Sequence, residues 1–89
     1  MMDEHLLVRR ARAALDDDPQ RALALTREHE RRFPEGMLVE EREVIAILAM
    51  ARAGSTDDAR TRLRRFKAEY PTSVHGRELD REVLETNGR

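Results

Sequence analysis

Cysteine and tryptophan are absent from this chain, and only Phe33, Phe66 and Tyr70 are aromatic. Without cysteine there is no disulfide framework, no thiol nucleophile and no thiolate metal site. Net charge is nearly absent as well. Charged residues make up 39% of the chain, yet they sum to -1. That balance favours salt-bridged helix surfaces over a face built to bind a polyanion. Long apolar stretches are missing apart from one, Val44-Ile45-Ala46-Ile47-Leu48-Ala49-Met50-Ala51, which is far too short to cross a bilayer. Direct membrane insertion is therefore not expected. No signal peptide is visible either, because Asp3, Glu4, Arg9, Arg10 and Arg12 break up any apolar segment near the start. With 89 residues, the chain is expected to form a single small domain, 1–89, with a modest core.

What the chain does contain is helix formers: alanine, leucine, arginine and glutamate dominate. The apolar run reads as the middle of a central helix over 38–53. A helix that is apolar all round must be buried all round. Glu40, Glu41 and Glu43 near its start and Arg52 near its end complement the helix dipole. Gly54 suits the left-handed residue that stops it.

Four more helices flank this one. The first, 4–15, places Leu7, Val8, Ala11, Ala14 and Leu15 on one stripe. The second, 19–33, starts with Asp18 as N-cap and Pro19 in the first turn, and faces inward with Ala22, Leu25, Thr26, His29 and Phe33. The fourth, 56–70, faces inward with Ala59, Leu63, Phe66 and Tyr70, and Ser55 with Asp58 reads as a capping box. The last, 73–85, offers Val74, Leu79, Val83 and Leu84, and Thr86 to Arg89 read as a frayed tail. Connections this short imply antiparallel neighbours.

The chain also matches itself when shifted by about 37 residues. Ala22 falls on Ala59, Arg27 on Arg64, Phe33 on Tyr70, Pro34 on Pro71, Glu43 on Asp80 and Ile47 on Leu84. Glu4, Glu41 and Glu78 form one series, and Leu7 falls on Val44. Each unit is a helix pair that ends in aromatic-Pro. The small residue lets two helices approach, the aromatic fills the space behind, and the proline turns the chain into the next unit.

An alanine placed well before a helix-ending proline, as Ala22 is before Pro34 and Ala59 before Pro71, resembles the tetratricopeptide repeat. The period is longer than that family's usual 34 residues. The Phe-Pro-Glu-Gly and Tyr-Pro-Thr-Ser junctions look most like repeats of bacterial envelope proteins of the TolA-binding and outer-membrane-assembly lipoprotein type. In the first helix of each pair, the family's aromatic and glycine positions carry Leu6 and Arg10 in one unit and Glu43 and Ile47 in the other. The resemblance implies an all-α, right-handed helical-repeat array of about two and a half repeats. It also implies a non-catalytic interaction or scaffold role, in the bacterial cytoplasm, or in the envelope if the chain is a fragment of an exported protein.

No cofactor motif is present. His5, His29 and His75 are not paired at helical spacing, and His29-Glu30 fails the zinc-protease pattern because Phe33 stands where the second histidine is needed. Asp16-Asp17-Asp18 is contiguous, so its side chains diverge and suit capping. Arg60, Arg62, Arg64, Arg65 and Lys67 spread around the fourth helix and read as a solvated face, so nucleic acid is a disfavoured partner. The resemblance places a partner groove on the first helix of each pair. Its candidate residues are Leu7, Ala11 and Leu15, then Glu41, Val44, Leu48 and Arg52, then Glu78 and Arg81. The partner is expected to be a protein or peptide. Two alternatives are homodimerisation through the ends of the array and binding of nucleic acid or an anionic surface through the fourth helix.

Overall fold

A computed structural model describes residues 2–85. Among them the chain is all-helical, with no strand: α1 (Glu4–Ala13), α2 (Pro19–Arg32), α3 (Val39–Arg52), α4 (Thr56–Glu69) and α5 (Gly76–Asp80), which continues without a break into a π-helical turn (Arg81–Glu85). The expected tail, Thr86 to Arg89, lies outside the described residues. Consecutive helices pack on each other, and α3 also packs against α1, α5 and the π-helical turn. The result measures 42 × 29 × 18 Å.

The core is α3 and whatever covers it. Val44, Ile45, Ala46, Ile47 and Ala49 are fully buried, and Leu48, Met50 and Ala51 nearly so. The covering stripes are Leu7, Val8, Ala11 and Leu15 from the α1 side and Ala22, Leu25, Thr26 and His29 from α2. Ala59, Leu63 and Phe66 from α4 complete them, with Leu79 and Val83 from the last helix. The inward faces expected for the first four helices are therefore the observed ones, with Ala14, Phe33 and Tyr70 packed at their margins.

The last helix differs from expectation. It begins at Gly76 rather than at Ser73, so Val74 falls in the preceding turn and is 87% exposed. Leu79 and Val83 take the core positions, which leaves Leu84 47% exposed on the flank. The first helix is shorter than expected as well. After Ala13 the chain tightens into turns, with Leu15 N–H donating to Arg12 O at 3.1 Å and Asp18 N–H to Ala14 O at 2.8 Å.

The ends of the helices have identifiable causes. Asp18 caps α2 by accepting from Arg21 N–H at 3.1 Å, and Asp3 does the same for α1 from Leu6 N–H at 2.8 Å. α3 stops in a Schellman arrangement. Gly54 has φ +90°, its N–H donates to Ala51 O at 3.2 Å, and Ser55 N–H donates to Met50 O at 2.9 Å. That last bond removes the expected capping box. Asp58 would have to accept from Ser55 N–H, which is already committed to α3, and Ser55 makes no side-chain cap bond.

The 37-residue period is written into the boundaries. Pro19–Arg32 maps onto Thr56–Glu69, and Val39 maps onto Gly76. Phe33 and Tyr70 end their helices with matching backbone angles, φ -133° and -127° with ψ 61° and 64°. Each stacks on the residue one turn back: Phe33 lies 5.6 Å from His29, and Tyr70 lies 5.1 Å from Phe66.

Because α3 has neighbours on every side, a cavity inside it cannot be relieved by solvent. Ile45→Ala should lower the free energy of unfolding by about 3 kcal/mol, read from urea denaturation followed by circular dichroism. The same change at half-exposed Leu84 should cost less than about 1 kcal/mol.

Candidate interaction surface

The first helices of the pairs, α1, α3 and α5, lie side by side, with α3 in the middle. This is the face on which a groove is expected, and the structure divides its candidate residues into two groups. Leu7, Val44 and Leu48 are at most 1% exposed, and Ala11 and Leu15 are buried with them. They are core, not groove floor. The correction has a simple cause: α1 and α5 close directly on α3, so the apolar positions between them meet each other and leave no channel.

Glu41, Arg52, Glu78 and Arg81 do reach the surface. Two of them stitch the helices together. Glu41 pairs with Arg12 of α1. Arg52 spans both neighbours, reaching Asp16 at 2.8 Å and Glu82 at 3.2 Å. His75 sits 3.8 Å from Glu41 and 3.9 Å from Glu78. What stays open is a cavity of about 240 Å³ between α1 and α3. Val8 and Leu38 supply its apolar wall, and His5, Arg9, Arg12 and Glu41 its polar rim.

A second polar cluster lies deeper. The Glu4 carboxylate reaches from α1 to the start of α3, where it accepts from Leu38 N–H at 2.9 Å and Met37 N–H at 3.2 Å. It caps a helix that has no local side-chain cap. His29 Nε2 lies 2.9 Å from the same carboxylate, and His29 Nδ1 faces Arg42 Nη1 at 3.5 Å. A guanidinium can only donate, so Nδ1 is the acceptor and the ring proton sits on Nε2, donated to Glu4. Arg42 in turn donates to Glu43 at 2.9 and 3.1 Å, and Arg62 of α4 grips Glu43 with two bonds of 2.9 Å. Glu30 of α2 stands 3.9 Å from Arg62.

These contacts shift the titration of Glu4, Glu43 and Arg62. Burial works to raise the Glu4 carboxyl, but the bonds from Leu38, His29 and Met37 outweigh it and hold it below its ordinary value. Burial also opposes ionisation of Glu43, and Arg62 and Arg42 override it in the same direction. The bonds to Glu43 hold the Arg62 guanidinium protonated more firmly than usual. Burial first, then nearby Glu69, Glu40 and Glu43, push the Tyr70 phenol up.

From residue type and spacing alone, Glu4 and Arg42 have no evident role, Glu43 is a dipole partner and Arg62 belongs to a solvated face. Their only signal was positional. Arg42-Glu43 interrupts a helix that is otherwise apolar on the sides facing α2 and α4, and Glu4 heads the glutamate series of the repeat. The other basic residues of α4 behave as surface. Lys67 pairs with Asp80 at 3.0 Å, and Arg64 reaches Thr61 at 3.3 Å.

Among the described residues no group of histidine, aspartate and glutamate is placed to hold a metal ion. No helix among them is long and apolar enough to cross a membrane. The chain matches no protein-family model, no curated protein and no solved structure.

Two outcomes follow from the deep cluster. Glu4 and Glu43 titrate lower in the folded chain than in the unfolded one, so their stabilisation is complete above the ordinary glutamate value of 4.5 and is lost as pH falls through the lower folded values. Urea midpoints should hold steady from neutral pH down to about 5 and fall steeply below about 4.5, and Glu43→Gln should flatten that acid limb. Second, a Cβ on Gly36 would collide with Glu4 Oε2. Gly36→Ala should expel the carboxylate from its cap and cost about 2 kcal/mol in the same assay.

Proposed function

We propose that the chain is a non-catalytic protein-interaction module of tetratricopeptide-like helix pairs, and that it holds a peptide segment of its partner on the α1–α3–α5 face. The observation that carries the reading is the cavity between α1 and α3. Two successive first helices present Val8 and Leu38 there as an apolar wall, with Arg9, Arg12 and His5 around it. An apolar side chain can enter while a neighbouring carboxylate of the peptide meets Arg9. The geometry of the pairs supports the family reading. Ala22 and Ala59, the small residues ahead of each proline, are both fully buried where their helices approach α3 and its neighbours.

In this reading the groove residues change roles. Leu7, Val44 and Leu48 hold the helices in place from within. Glu41 and Arg52 fix the spacing of the three helices through their ion pairs. Glu78 and Arg81, which stand exposed at the α5 edge, meet the part of the partner that runs past the cavity. Orientation thus comes from charge and anchoring from a single apolar pocket, a division common at small interfaces.

A displayed library of short random peptides, panned on the folded chain, tests this directly. Selected peptides should bind with micromolar affinity, a range typical of isolated small-pocket contacts, and Arg9→Glu should weaken them by about tenfold. Selected peptides that bind the Arg9→Glu and Glu78→Lys chains unchanged would rule out this face. Light scattering behind a sizing column, over about a hundredfold range of concentration, separates the self-association reading: a stable dimer would make the chain an oligomerising element instead.

A further inference from the structure

The 37-residue period identifies a second surface, at the opposite edge from α1. In the interior of the array α4 packs against α3, and its Arg62 pairs with Glu43 at 2.9 Å and stands 3.9 Å from Glu30 of α2. Shifted by one period, that seat becomes a specific set of residues on α4 and the last helix. Leu23 maps to Arg60, Thr26 to Leu63, Arg27 to Arg64, Glu30 to Lys67, Glu43 to Asp80 and Ile47 to Leu84. These six residues line a cavity of about 230 Å³. The counterparts of Glu30 and Glu43, which Arg62 of α4 meets inside the array, thus fall together in a formed hollow between α4 and the last helix.

The two seats differ in charge. Inside the array Arg62 adds a second cation to Glu43, which already accepts from Arg42, and stands near Glu30. At the second seat the counterparts of Glu30 and Glu43 are Lys67 and Asp80, which satisfy each other at 3.0 Å. The remaining charges are Arg60 and Arg64, both exposed and without a carboxylate partner among the described residues. The floor is Leu63, 3% exposed, and Leu84 stands beside it at 47%, where its counterpart Ile47 is fully covered.

We infer that this seat docks an amphipathic helix of a separate protein, with an apolar stripe over Leu63 and Leu84 and carboxylates directed at Arg60 and Arg64. The repeat register gives the shape of the occupant, and charge complementarity gives its sign. A second copy paired seat to seat does not fit the description. Two such seats brought face to face would oppose Arg60, Arg64 and Lys67 to one another, and such like-charge contacts disfavour pairing. The seat shares no residue with the α1–α3 cavity and stands independently of it.

The test uses a fluorescein-labelled helical peptide about four turns long, with leucines on one stripe flanked by glutamates. Controls are the same peptide with lysines for glutamates, and an oligothymidylate of similar charge. Anisotropy should show binding of the acidic peptide, weakened about tenfold by Leu84→Glu and separately by Arg64→Glu, and unchanged by Arg9→Glu. Both variants alter exposed side chains, and circular dichroism checks that each remains helical. The inference fails if the lysine peptide binds equally well. It fails too if the oligothymidylate displaces the acidic peptide and Leu84→Glu leaves its affinity unchanged, which would mark simple attraction to a polyanion. A dimer in light scattering that Leu84→Glu dissolves would also overturn it, by making the occupant a second copy.

Discussion

From Val44 to Ala51 every side chain of α3 is withdrawn from water, and a helix has too much circumference for one neighbour to achieve that. The apolar run therefore requires cover from several directions at once. A single small chain supplies it by wrapping: α1 and α2 on one side, α4 and α5 on the other. Each covering helix needs only one apolar stripe, which is why the rest of each can be arginine and glutamate without cost to the core. The near-zero net charge follows from the same arrangement. Surfaces rich in both signs pair across the helices, as Arg12 does with Glu41 and Arg52 with Asp16 and Glu82, although exposed pairs of this kind add little individually.

The half-buried start of α3 poses a separate polar problem, because its first N–H groups need acceptors and no capping side chain precedes them. The solution is imported. Glu4 comes from α1, is oriented by His29 of α2, and that histidine abuts Arg42, which carries the connection through Glu43 to Arg62 of α4. Four helices thus share one line of hydrogen bonds. Buried charge of this kind is tolerable only when every member is satisfied, and here each acid has at least two donors.

Much of the fold could be read from residue spacing. The central helix, the inward faces of α1, α2 and α4, the Asp18 cap and the Gly54 stop depend on local pattern, and local pattern is what a sequence displays. Three features could not be read that way. The capping role expected of Ser55 failed because its N–H was taken by the previous helix. The groove floor at Leu7, Val44 and Leu48 turned out to be core, because spacing tells which side of a helix is apolar but not how tightly the neighbour closes on it. The Glu4 cap was invisible because its partners lie more than thirty residues away in the chain. The hollow between α4 and the last helix could not be read either: the 37-residue shift pairs some of its residues with inner positions, but only the fold brings all six together.

The two aromatic-proline junctions solve the same capping task in opposite ways. At the first, Gly36 leaves room and a distant carboxylate fills it. At the second, Ser73 stands in the equivalent place, its Oγ accepts from His75 N–H at 3.1 Å and donates to Glu40 at 2.8 Å. The N–H that opens α5 is therefore satisfied by a residue two positions away, whereas the one that opens α3 is satisfied only by contact with α1. The native contacts that open these two helices are consequently not symmetric about the repeat. The entry into α3 carries the long loop closure, so the buried centre of the molecule is also the part whose beginning is completed through sequence-distant contact.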